Sequence, residues 1–470
     1  GRGFPSPVFD TVGTASEIYN ASGGISEFAM ESYFGRINLS YLDRYILNVT
    51  MRSDGSSRFA PSDRYGYFPS VSLGWNVSKE SFWKFPQTDL KFRLSYGKTG
   101  NQDGIGNYAW QPLMSGGINY GNNSGMAVTS MGNNKLTWET ADQYDFGFDL
   151  GFWNGKLNMI ADIYLKNTNN LLYSMPLHGT SGFTSITSNI GSMRNYGVEF
   201  SINGHLNIGK VNWTSSFNIS HNKNKLTKLL GDDLLPIGSN RALKVGEELG
   251  AFYLFQMDGL YQYDGEVPQP LYDLGVRAGD VKYHDADNNG IINDNDRVLT
   301  GSSNPDFFGG WNNTFKYKGF QLDVFFTYMY GNDVYAEWAV TATRPGYRMA
   351  ITEDVAKNRW TAPGSSDKYP RAVNTLCGHN SKNSTRFLED GSFIRLRSLT
   401  FSYTFPQVML QKICLKGLRL YVQGDNLLLF SKYSGWDPEV SKNMDPQYFG
   451  VDLYGVPPSR SVNFGINLSF

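Results

Sequence analysis

The sequence lacks the features that mark helical membrane proteins, nucleic-acid-binding proteins and several classes of enzyme. No run of about 18 consecutive apolar residues occurs, which excludes a transmembrane helix. Lys and Arg number 42 against 43 Asp and Glu, so the chain has no excess positive charge that would favour nucleic acid. The five histidines form no HExxH pattern, and neither a GxSxG motif nor a P-loop is present. We therefore expect no enzymatic activity and no nucleic-acid partner.

The last nine residues, Val462 to Phe470, predict a single β-strand with one apolar and one polar face. Apolar side chains occupy the even-numbered positions, and Asn, Gly or Ser occupies the odd-numbered positions between them. Successive side chains of a strand point to opposite faces. A strand of this kind at the end of a chain is typical of an outer-membrane β-barrel.

The same alternation recurs along the chain, and charged residues fall on its second face. Phe320, Leu322 and Val324 alternate with Gln321 and Asp323. A β-sandwich seals its inner face, whereas a wide barrel turns an apolar face to lipid and a polar face to a water-filled or plugged lumen. The aromatic content of 15% agrees with a barrel, because aromatic girdles form at both membrane interfaces. Other alternating runs lie at 143–152, 195–203 and 418–425.

Short links and long segments alternate between these runs, as periplasmic turns and extracellular loops do in bacterial barrels. Short turns are predicted at 43–44, 86–89, 154–155, 209–210, 318–319 and 406–417. Long extracellular loops are predicted at about 102–138, 174–190, 226–306, 336–390 and 431–458. The apolar pattern slips phase near Arg397 and Ser398, which predicts a β-bulge.

Counting back from Phe470 gives roughly 13 strands. Single-chain bacterial barrels have even strand numbers, and plugged transporters have about 22 strands. The predicted fold class of residues 1–470 is therefore all-β, as the C-terminal portion of a transmembrane antiparallel β-barrel. The missing barrel strands and the plug are expected outside this sequence. The absence of a signal peptide at Gly1 agrees with that expectation.

The predicted topology also places the two cysteines on opposite faces of the membrane. Cys377 falls in the loop 336–390, and Cys414 falls in the turn 406–417. A disulfide requires Cα atoms within about 7 Å, whereas the hydrocarbon layer is about 30 Å thick. We expect two free thiols.

A series of short motifs runs along nearly the whole chain. The motifs are YFGRIN (33–38), DRY (43–45), RSDGSSRF (52–59), FPS (68–70), GW (74–75), LSYGKTGNQ (94–102), NYGVEF (195–200), GDVKY (279–283), NRWT (358–361) and WDPE (436–439). In this collinear order they resemble the SusC/RagA family of TonB-dependent outer-membrane transporters from Bacteroidetes-type bacteria, and the series is far more specific than any single motif.

The resemblance implies a barrel of about 22 strands in the outer membrane of a Gram-negative bacterium. It further implies an N-terminal plug, opened by energy relayed through TonB, and a SusD/RagB-like surface lipoprotein that caps the barrel. The implied function is active import of oligosaccharides or peptides, and polar lumen side chains suit such cargo. The plug and the TonB-contacting segment are not in these residues.

Two other functions are compatible with the strand pattern. A passive porin would conduct without a plug and without TonB. A secreted, calcium-stapled all-β adhesin or lectin would stay soluble without detergent, whereas a barrel with a lipid-facing apolar band would not.

The segment 285–296 (DADNNGIINDND) matches the pattern of a calcium-binding loop, with Gly at position 6 and Asp instead of Glu at position 12. The shorter Asp side chain predicts weaker affinity than in a sensor loop. No clear helices flank the segment, so we expect a surface loop stapled by Ca²⁺ rather than an EF-hand. The alternative is an Asn/Asp/Gly-rich turn that needs no ion. The candidate ligands are Asp285, Asp287, Asn289, Ile291, Asn293 and Asp296.

Aromatic residues in the predicted long loops are candidate substrate-binding residues. Such rings stack on sugars or dock a partner, but they also pack large loops against themselves. The candidates are Trp110, Trp338, Trp360 and Trp436, together with Tyr120 and Tyr433.

Overall fold

The computed structural model describes residues 26–116, 126–231, 234–346, 350–373, 378–411, 415–444 and 448–470. Tyr120, Cys377 and Cys414 lie outside the described residues, so the expectations for them stay predictions. No helix in the described ranges is long and apolar enough to cross a membrane.

The described chain is built mainly of strands, with four short α-helices. The strands are β1 (Met30–Tyr41), β2 (Tyr45–Ser56), β3 (Tyr65–Asn76), β4 (Thr88–Asn101), β5 (Leu113–Gly116), β6 (Met126–Ser130), β7 (Glu139–Phe152), β8 (Leu157–Pro176), β9 (Ser185–Ile208), β10 (Val211–Leu229), β11 (Leu234–Ile237), β12 (Arg241–Lys244), β13 (Ala251–Phe255), β14 (Met257–Leu260), β15 (Val281–Tyr283), β16 (Arg297–Ser302), β17 (Phe307–Tyr317), β18 (Phe320–Tyr330), β19 (Asp333–Ala336), β20 (Leu388–Asp390), β21 (Phe393–Thr404), β22 (Gly417–Ser431), β23 (Val451–Asp452) and β24 (Ser461–Ser469). The helices are α1 (Gln269–Asp273), α2 (Glu337–Ala342), α3 (Glu353–Asn358) and α4 (Gln407–Leu410).

One large sheet contains 13 strands, and its spatial order follows the chain order throughout. Every neighbouring pair in this sheet is antiparallel. The predicted all-β, antiparallel architecture and the predicted strand number are therefore confirmed. The strands of this sheet, in order, are β1, β2, β3, β4, β7, β8, β9, β10, β17, β18, β21, β22 and β24.

Most turns at one end of the large sheet are short, and several of their residues have positive φ. Asp43 (φ 54°), Asn154 (φ 56°) and Lys318 (φ 52°) lie in three of these turns. Positive φ matches the right-handed twist of the flanking strands, so such turns close tight hairpins. The longest connection at this end runs from 405 to 416 and contains α4.

Four long connections leave the opposite end of the large sheet, at 102–138, 230–306, 331–392 and 432–460. The expected long loop at 174–190 is wrong, because β8 and β9 stay paired as far as Pro176 and Ser185. These two strands have 20 and 24 residues, and a membrane crossing takes about 9–11 residues. They therefore extend well beyond the length needed for one crossing.

The long connections contain their own hydrophobic cores. Phe252, Tyr335, Phe387 and Val451 are buried together in one core, although they come from three different connections. β19 also pairs with β20 on one side and with β23 on the other, which ties the connection 331–392 to the connection 432–460. A second core surrounds Val281, inside the connection 230–306.

The wall of the large sheet has one apolar and one polar face. Val462, Phe464 (83% exposed) and Ile466 project from one face of β24. On the opposite face Asn463 donates a hydrogen bond to Asp425 of β22 at 3.2 Å. An exposed apolar face opposite a hydrogen-bonded polar face is the arrangement of a lipid-facing barrel wall.

Tyrosine rings cover glycines on neighbouring strands of the polar face. Tyr421 lies directly opposite Gly465 in the β22–β24 register, and a Cβ atom at Gly465 would come within 2.1 Å of the Tyr421 ring. Tyr164 and Gly197 form a similar pair between β8 and β9, with 2.6 Å between the Tyr164 hydroxyl and a Cβ atom at Gly197. A ring that packs over a strand glycine replaces the missing side-chain contacts.

The predicted phase slip is a β-bulge. Leu396 pairs with Leu428, but the next register position on β21 is Ser398, opposite Asp425. The neighbouring β18 also skips Arg397, because Phe326 pairs with Leu396 and Phe325 pairs with Ser398. A bulge leaves one residue without a ladder partner and changes the direction of nearby side chains.

A charge placed on the apolar face should destabilise the sheet. Leu420 pairs with Ile466, near the middle of the nine β22–β24 register pairs. We expect Leu420→Arg to lower the free energy of unfolding in lipid by about 2–4 kcal/mol, the cost of Arg at the bilayer midplane. Gln423→Arg is the control on the polar face, where Gln423 already donates to Asp425 at 2.8 Å. Urea unfolding in lipid vesicles measures both variants, and an equal loss would contradict the face assignment.

Candidate functional site

The polar face contains a charged triad from three neighbouring strands, and two of its members, Arg93 and Asp162, line a recess. Arg93 of β4 lies 3.0 Å from a carboxylate oxygen of Asp149 on β7 and 2.8 Å from one of Asp162 on β8. The recess has a volume of about 620 Å³. Its amide, carboxylate, ammonium and phenol groups donate and accept hydrogen bonds, which suits cargo rich in hydroxyl or amide groups. Residues lining it include Gln143, Asp145, Tyr164, Lys166, Glu199 and Asn222.

A second recess of about 450 Å³ lies further along the same face. Asp323 of β18 lines this recess and accepts hydrogen bonds from Thr314 at 2.7 Å and Gln321 at 2.8 Å. The recess also contains Arg419 and Tyr421 of β22. Charged and amide side chains therefore continue across the polar face from β4 to β22.

The WDPE motif forms a buried ion-pair network with the bulged strand β21. Arg395, 3% exposed, donates to both carboxylate oxygens of Asp437 at 2.6 and 2.8 Å. The Arg395 Nε atom lies 3.0 Å from Glu439, which also accepts two hydrogen bonds from Arg397 at 2.8 and 3.0 Å. These contacts hold the connection 432–460 against the large sheet.

The network leaves Trp436 projecting from the molecule. Its side chain is 80% exposed, and Tyr454 and Val456 of the same connection are also exposed. A large exposed aromatic residue on an anchored segment is suited to contact a partner or a cargo.

The other three candidate tryptophans are partly buried. Trp338 donates to the hydroxyl of Tyr433 at 3.1 Å and packs against the core around Phe252. Trp360 donates to Gln262 at 3.1 Å and packs against the core around Val281. Trp110 lies in the connection 102–138 and is also partly buried. Of the four, Trp436 presents the most accessible ring.

Two of the sequence motifs meet around Trp360. A Cβ atom at Gly279 would lie 2.4 Å from the Trp360 ring. The glycine of GDVKY therefore leaves the space that the tryptophan of NRWT occupies. The neighbouring Asp280 is buried, and its carboxylate accepts from Arg371 at 2.8 and 2.9 Å and from Asn380 at 2.8 Å. The two motifs thus join the connection 230–306 to the connection 331–392.

The acidic segment 285–296 brings three carboxylates together. One oxygen each from Asp285, Asp287 and Asp296 lies within 4.8 Å of the other two. The Asp285 carboxylate accepts backbone N–H groups from Asn289 at 3.1 Å and Gly290 at 2.6 Å. The segment therefore wraps around its first acidic residue.

The remaining candidate ligands lie in the same turn. Asp296 is fully buried and accepts from the backbone N–H of Ala286 at 2.9 Å and of Asn293 at 2.7 Å. The Asn293 side chain caps the 3₁₀ turn Asp294–Asp296 by accepting from Asn295 at 2.9 Å. The Asn289 side-chain oxygen accepts from the backbone N–H of Ile291 at 2.8 Å.

The carboxylates at the mouth of this cluster differ in pKa. Burial raises the pKa of Asp285, but backbone donors led by Gly290 outweigh burial and hold it below its usual value. Burial and the nearby charges of Asp285 and Asp296 raise the pKa of Asp287. The elevated Asp287 pKa follows partly from crowding of like charges.

Sequence reasoning missed the residues that organise the polar face and the last connection. The alternation places Arg93, Asp162 and Arg395 on the polar side of their strands, but it does not show their partners. Asp162 lies 69 positions after Arg93, and Asp437 lies 42 positions after Arg395. The sheet register and the path of the connections bring these pairs together.

The chain matches the family model described as TonB dependent receptor-like, beta-barrel, over residues 2–427. TonB-dependent receptor P3 of Formosa agariphila is 34% identical, and the match covers 96% of this chain and 46% of that protein. TonB-dependent receptor SusC of Bacteroides thetaiotaomicron is 31% identical, with 93% of this chain and 43% of that protein covered. The structure titled "Structure of the RagAB peptide transporter" superposes with a TM-score of 0.85 and 26% identity, over 100% of this chain and 51% of that chain.

The sheet, its short turns and its two unlike faces define part of an outer-membrane β-barrel. The chain belongs to the TonB-dependent receptor β-barrel family and is of the SusC/RagA type. It is an outer-membrane protein of Gram-negative bacteria, and its family comprises transport receptors rather than enzymes. The predicted family resemblance is confirmed. The chain spans a little under half the length of the curated relatives it matches.

Removing the cation at Arg395 should release the connection 432–460. Arg395→Met leaves the buried Asp437 carboxylate without its ion-pair partner, and such a loss costs about 3–5 kcal/mol. The control Lys357→Met breaks the exposed Lys357–Glu353 pair, which is worth about 0.2–1 kcal/mol. Amide hydrogen exchange across 432–460 measures the free energy of local opening.

The double variant Arg395→Met/Asp437→Leu provides a second control for this network. Replacing both charges with apolar side chains removes the unpaired carboxylate, so protection should return toward the wild-type value. Equal exchange in wild type and Arg395→Met would contradict an anchoring role for the network.

Proposed function

We propose that the complete protein imports a large polar nutrient, an oligosaccharide or a peptide, across the outer membrane in a TonB-dependent manner. The observation that carries the proposal is the polar face of the sheet, where two recesses contain charged and amide groups opposite a lipid-facing apolar face. Among the matched proteins, SusC is named a TonB-dependent receptor and RagAB a peptide transporter, which supports this class of function.

We further propose that other parts of the protein close the barrel and plug it. Within the described residues, β1 pairs with β2 alone and β24 pairs with β22 alone. Unpaired strand edges are not tolerated in hydrocarbon, because their N–H and C=O groups have no water to bond. Additional strands would pair these edges, and a plug preceding the barrel would contact TonB.

A SusD/RagB-like surface lipoprotein is the proposed partner on the extracellular side. The four long connections would face outward, and three of them, at 230–306, 331–392 and 432–460, share one hydrophobic core. The exposed Trp436, Tyr454 and Val456 offer an aromatic and apolar contact area on this surface.

An uptake experiment tests the proposed transport. Cells that produce the complete protein are given labelled oligosaccharides and labelled peptides in separate arms, with TonB intact or inactivated and with the lipoprotein gene present or deleted. We expect one cargo class to enter only when TonB is intact and the lipoprotein gene is present. Uptake at an unchanged rate after TonB inactivation would support a passive porin instead. Gentle detergent extraction of the same cells should recover the chain together with plug sequence and the lipoprotein.

A structural Ca²⁺ site at 285–296 is a second proposal. The specific observation is the convergence of three carboxylates within 4.8 Å, which would repel one another without a cation. Oxygen donors of this kind are the ligands that Ca²⁺ prefers. The side chains of Asp285, Asp287, Asn289 and Asp296 and the carbonyl of Ile291 would hold the ion. Asn293 would shape the loop through its capping contact.

Chelation tests the calcium proposal. We expect chelator treatment or Asp287→Ala to expose residues roughly 279–300 to protease while the barrel stays intact, because the ion would stabilise a loop and not the sheet. Added Ca²⁺ should restore protection of the wild type. Asp273→Asn alters an exposed carboxylate in the same connection and should behave as wild type. Digestion unaffected by chelator would favour a turn that needs no ion.

A further inference from the structure

A largely apolar cavity lies where the extended ends of β8, β9 and β10 meet the connection 230–306. Its volume is about 460 Å³, within the range of about 300–1,000 Å³ found for small-molecule sites. Ile190, Leu226 and Leu243 form a buried cluster in its wall. The cavity therefore offers an apolar compartment beside the polar face of the sheet.

One charged side chain lines this cavity, and it is Arg241 of β12. Arg241 is 7% exposed, and no carboxylate in the described ranges lies within ion-pair distance of it. Its Nη2 atom donates to the Ser303 hydroxyl at 3.2 Å and to the Phe449 carbonyl. Its Nε atom is buried and has no hydrogen-bond partner in the described part of the protein.

The burial of Arg241 gives weight to the lack of a carboxylate partner among the described residues. Burial lowers the pKa of Arg241 to about 10, which still leaves the guanidinium charged at neutral pH. The guanidinium also stacks on the Phe252 ring at 4.7 Å, which neutralises no charge. Buried charges in proteins are normally paired.

The cavity also adjoins the large polar recess. Met193, Asn195 and Asn222 line both spaces. The Asn222 side-chain oxygen accepts from the Tyr164 hydroxyl at 3.0 Å. The apolar cavity and the polar recess therefore share part of their lining.

We propose that this cavity binds the carboxylate end of a molecule with an apolar body, with the carboxylate on Arg241. The guanidinium supplies donors that match a carboxylate, and the leucine and isoleucine walls suit an aliphatic group. This site goes beyond the proposed transport function, because binding requires neither TonB nor transport. A peptide C-terminus and a free aliphatic acid share the required chemistry.

Calorimetric titration of the intact detergent-purified protein tests the site. The probes are N-acetyl-leucyl-leucine and octanoate, each beside its neutral primary amide. We expect at least one acid to bind about tenfold or more tightly than its amide, since hydrogen bonds to a charged group contribute more than neutral ones. Binding of the dipeptide acid assigns a peptide terminus, and binding of octanoate alone assigns a free acid; both outcomes support the site.

Variants locate the binding at Arg241. Arg241→Gln should weaken binding of the acid by about tenfold or more and leave the affinity for the amide unchanged. Arg241→Lys should retain part of the preference for the acid over the amide. Arg277→Gln is the control, because Arg277 lies in the same connection and contacts the Tyr272 ring and carbonyl instead of the cavity. Equal affinity of acid and amide in the wild type, or binding by neither, would overturn the proposal, and this comparison does not depend on how any variant folds.

Discussion

The whole structure depends on pairing backbone N–H and C=O groups where no water can reach them. In hydrocarbon each unpaired group costs several kcal/mol, so strands must form a continuous ladder. Within the described residues, the 13-strand sheet meets this requirement everywhere except at the outer edges of β1 and β24, because each strand pairs with the next strand of the sheet along the chain. Tight turns such as the one at Asn154, with its positive φ, make these local pairings possible.

The same constraint explains why the two largest buried cores lie in the long connections. A membrane-spanning sheet with lipid on one side and polar groups on the other has no sealed interior of its own. The connections instead bury Phe252, Tyr335 and Val451 against one another. The Arg395–Asp437 pair then fastens the last connection to the sheet. Candidate partner-binding residues such as Trp436 are thus displayed from an anchored surface.

Polar groups buried among these connections are satisfied in different ways. Asp280 and Arg395 have protein partners of opposite charge, whereas Arg241 has hydrogen bonds and an aromatic ring but no carboxylate among the described residues. The acidic segment 285–296 has the opposite imbalance, an excess of negative charge, since three carboxylates converge there. Unbalanced charges of this kind mark the positions where bound ions or ligands would stabilise the fold.

The sequence by itself determined the approximate number of strands in the large sheet, their two faces, the tight turns at 43–44, 154–155, 209–210 and 318–319, and the bulge at Arg397. These features follow from local physics, because a period of two and the chemistry of turn residues act over a few neighbouring positions. The sequence did not predict the turn between β3 and β4, which runs from 77 to 87 rather than 86 to 89. The strand ends were less predictable: β8 and β9 extend to Pro176 and Ser185, since pairing with a neighbour decides where a strand stops. Only the tertiary structure brought Gly279 to Trp360, Arg395 to Asp437, and Arg241 to an apolar cavity. Such contacts join residues far apart in the chain, and they depend on how several long connections fold over the sheet, which no local pattern encodes.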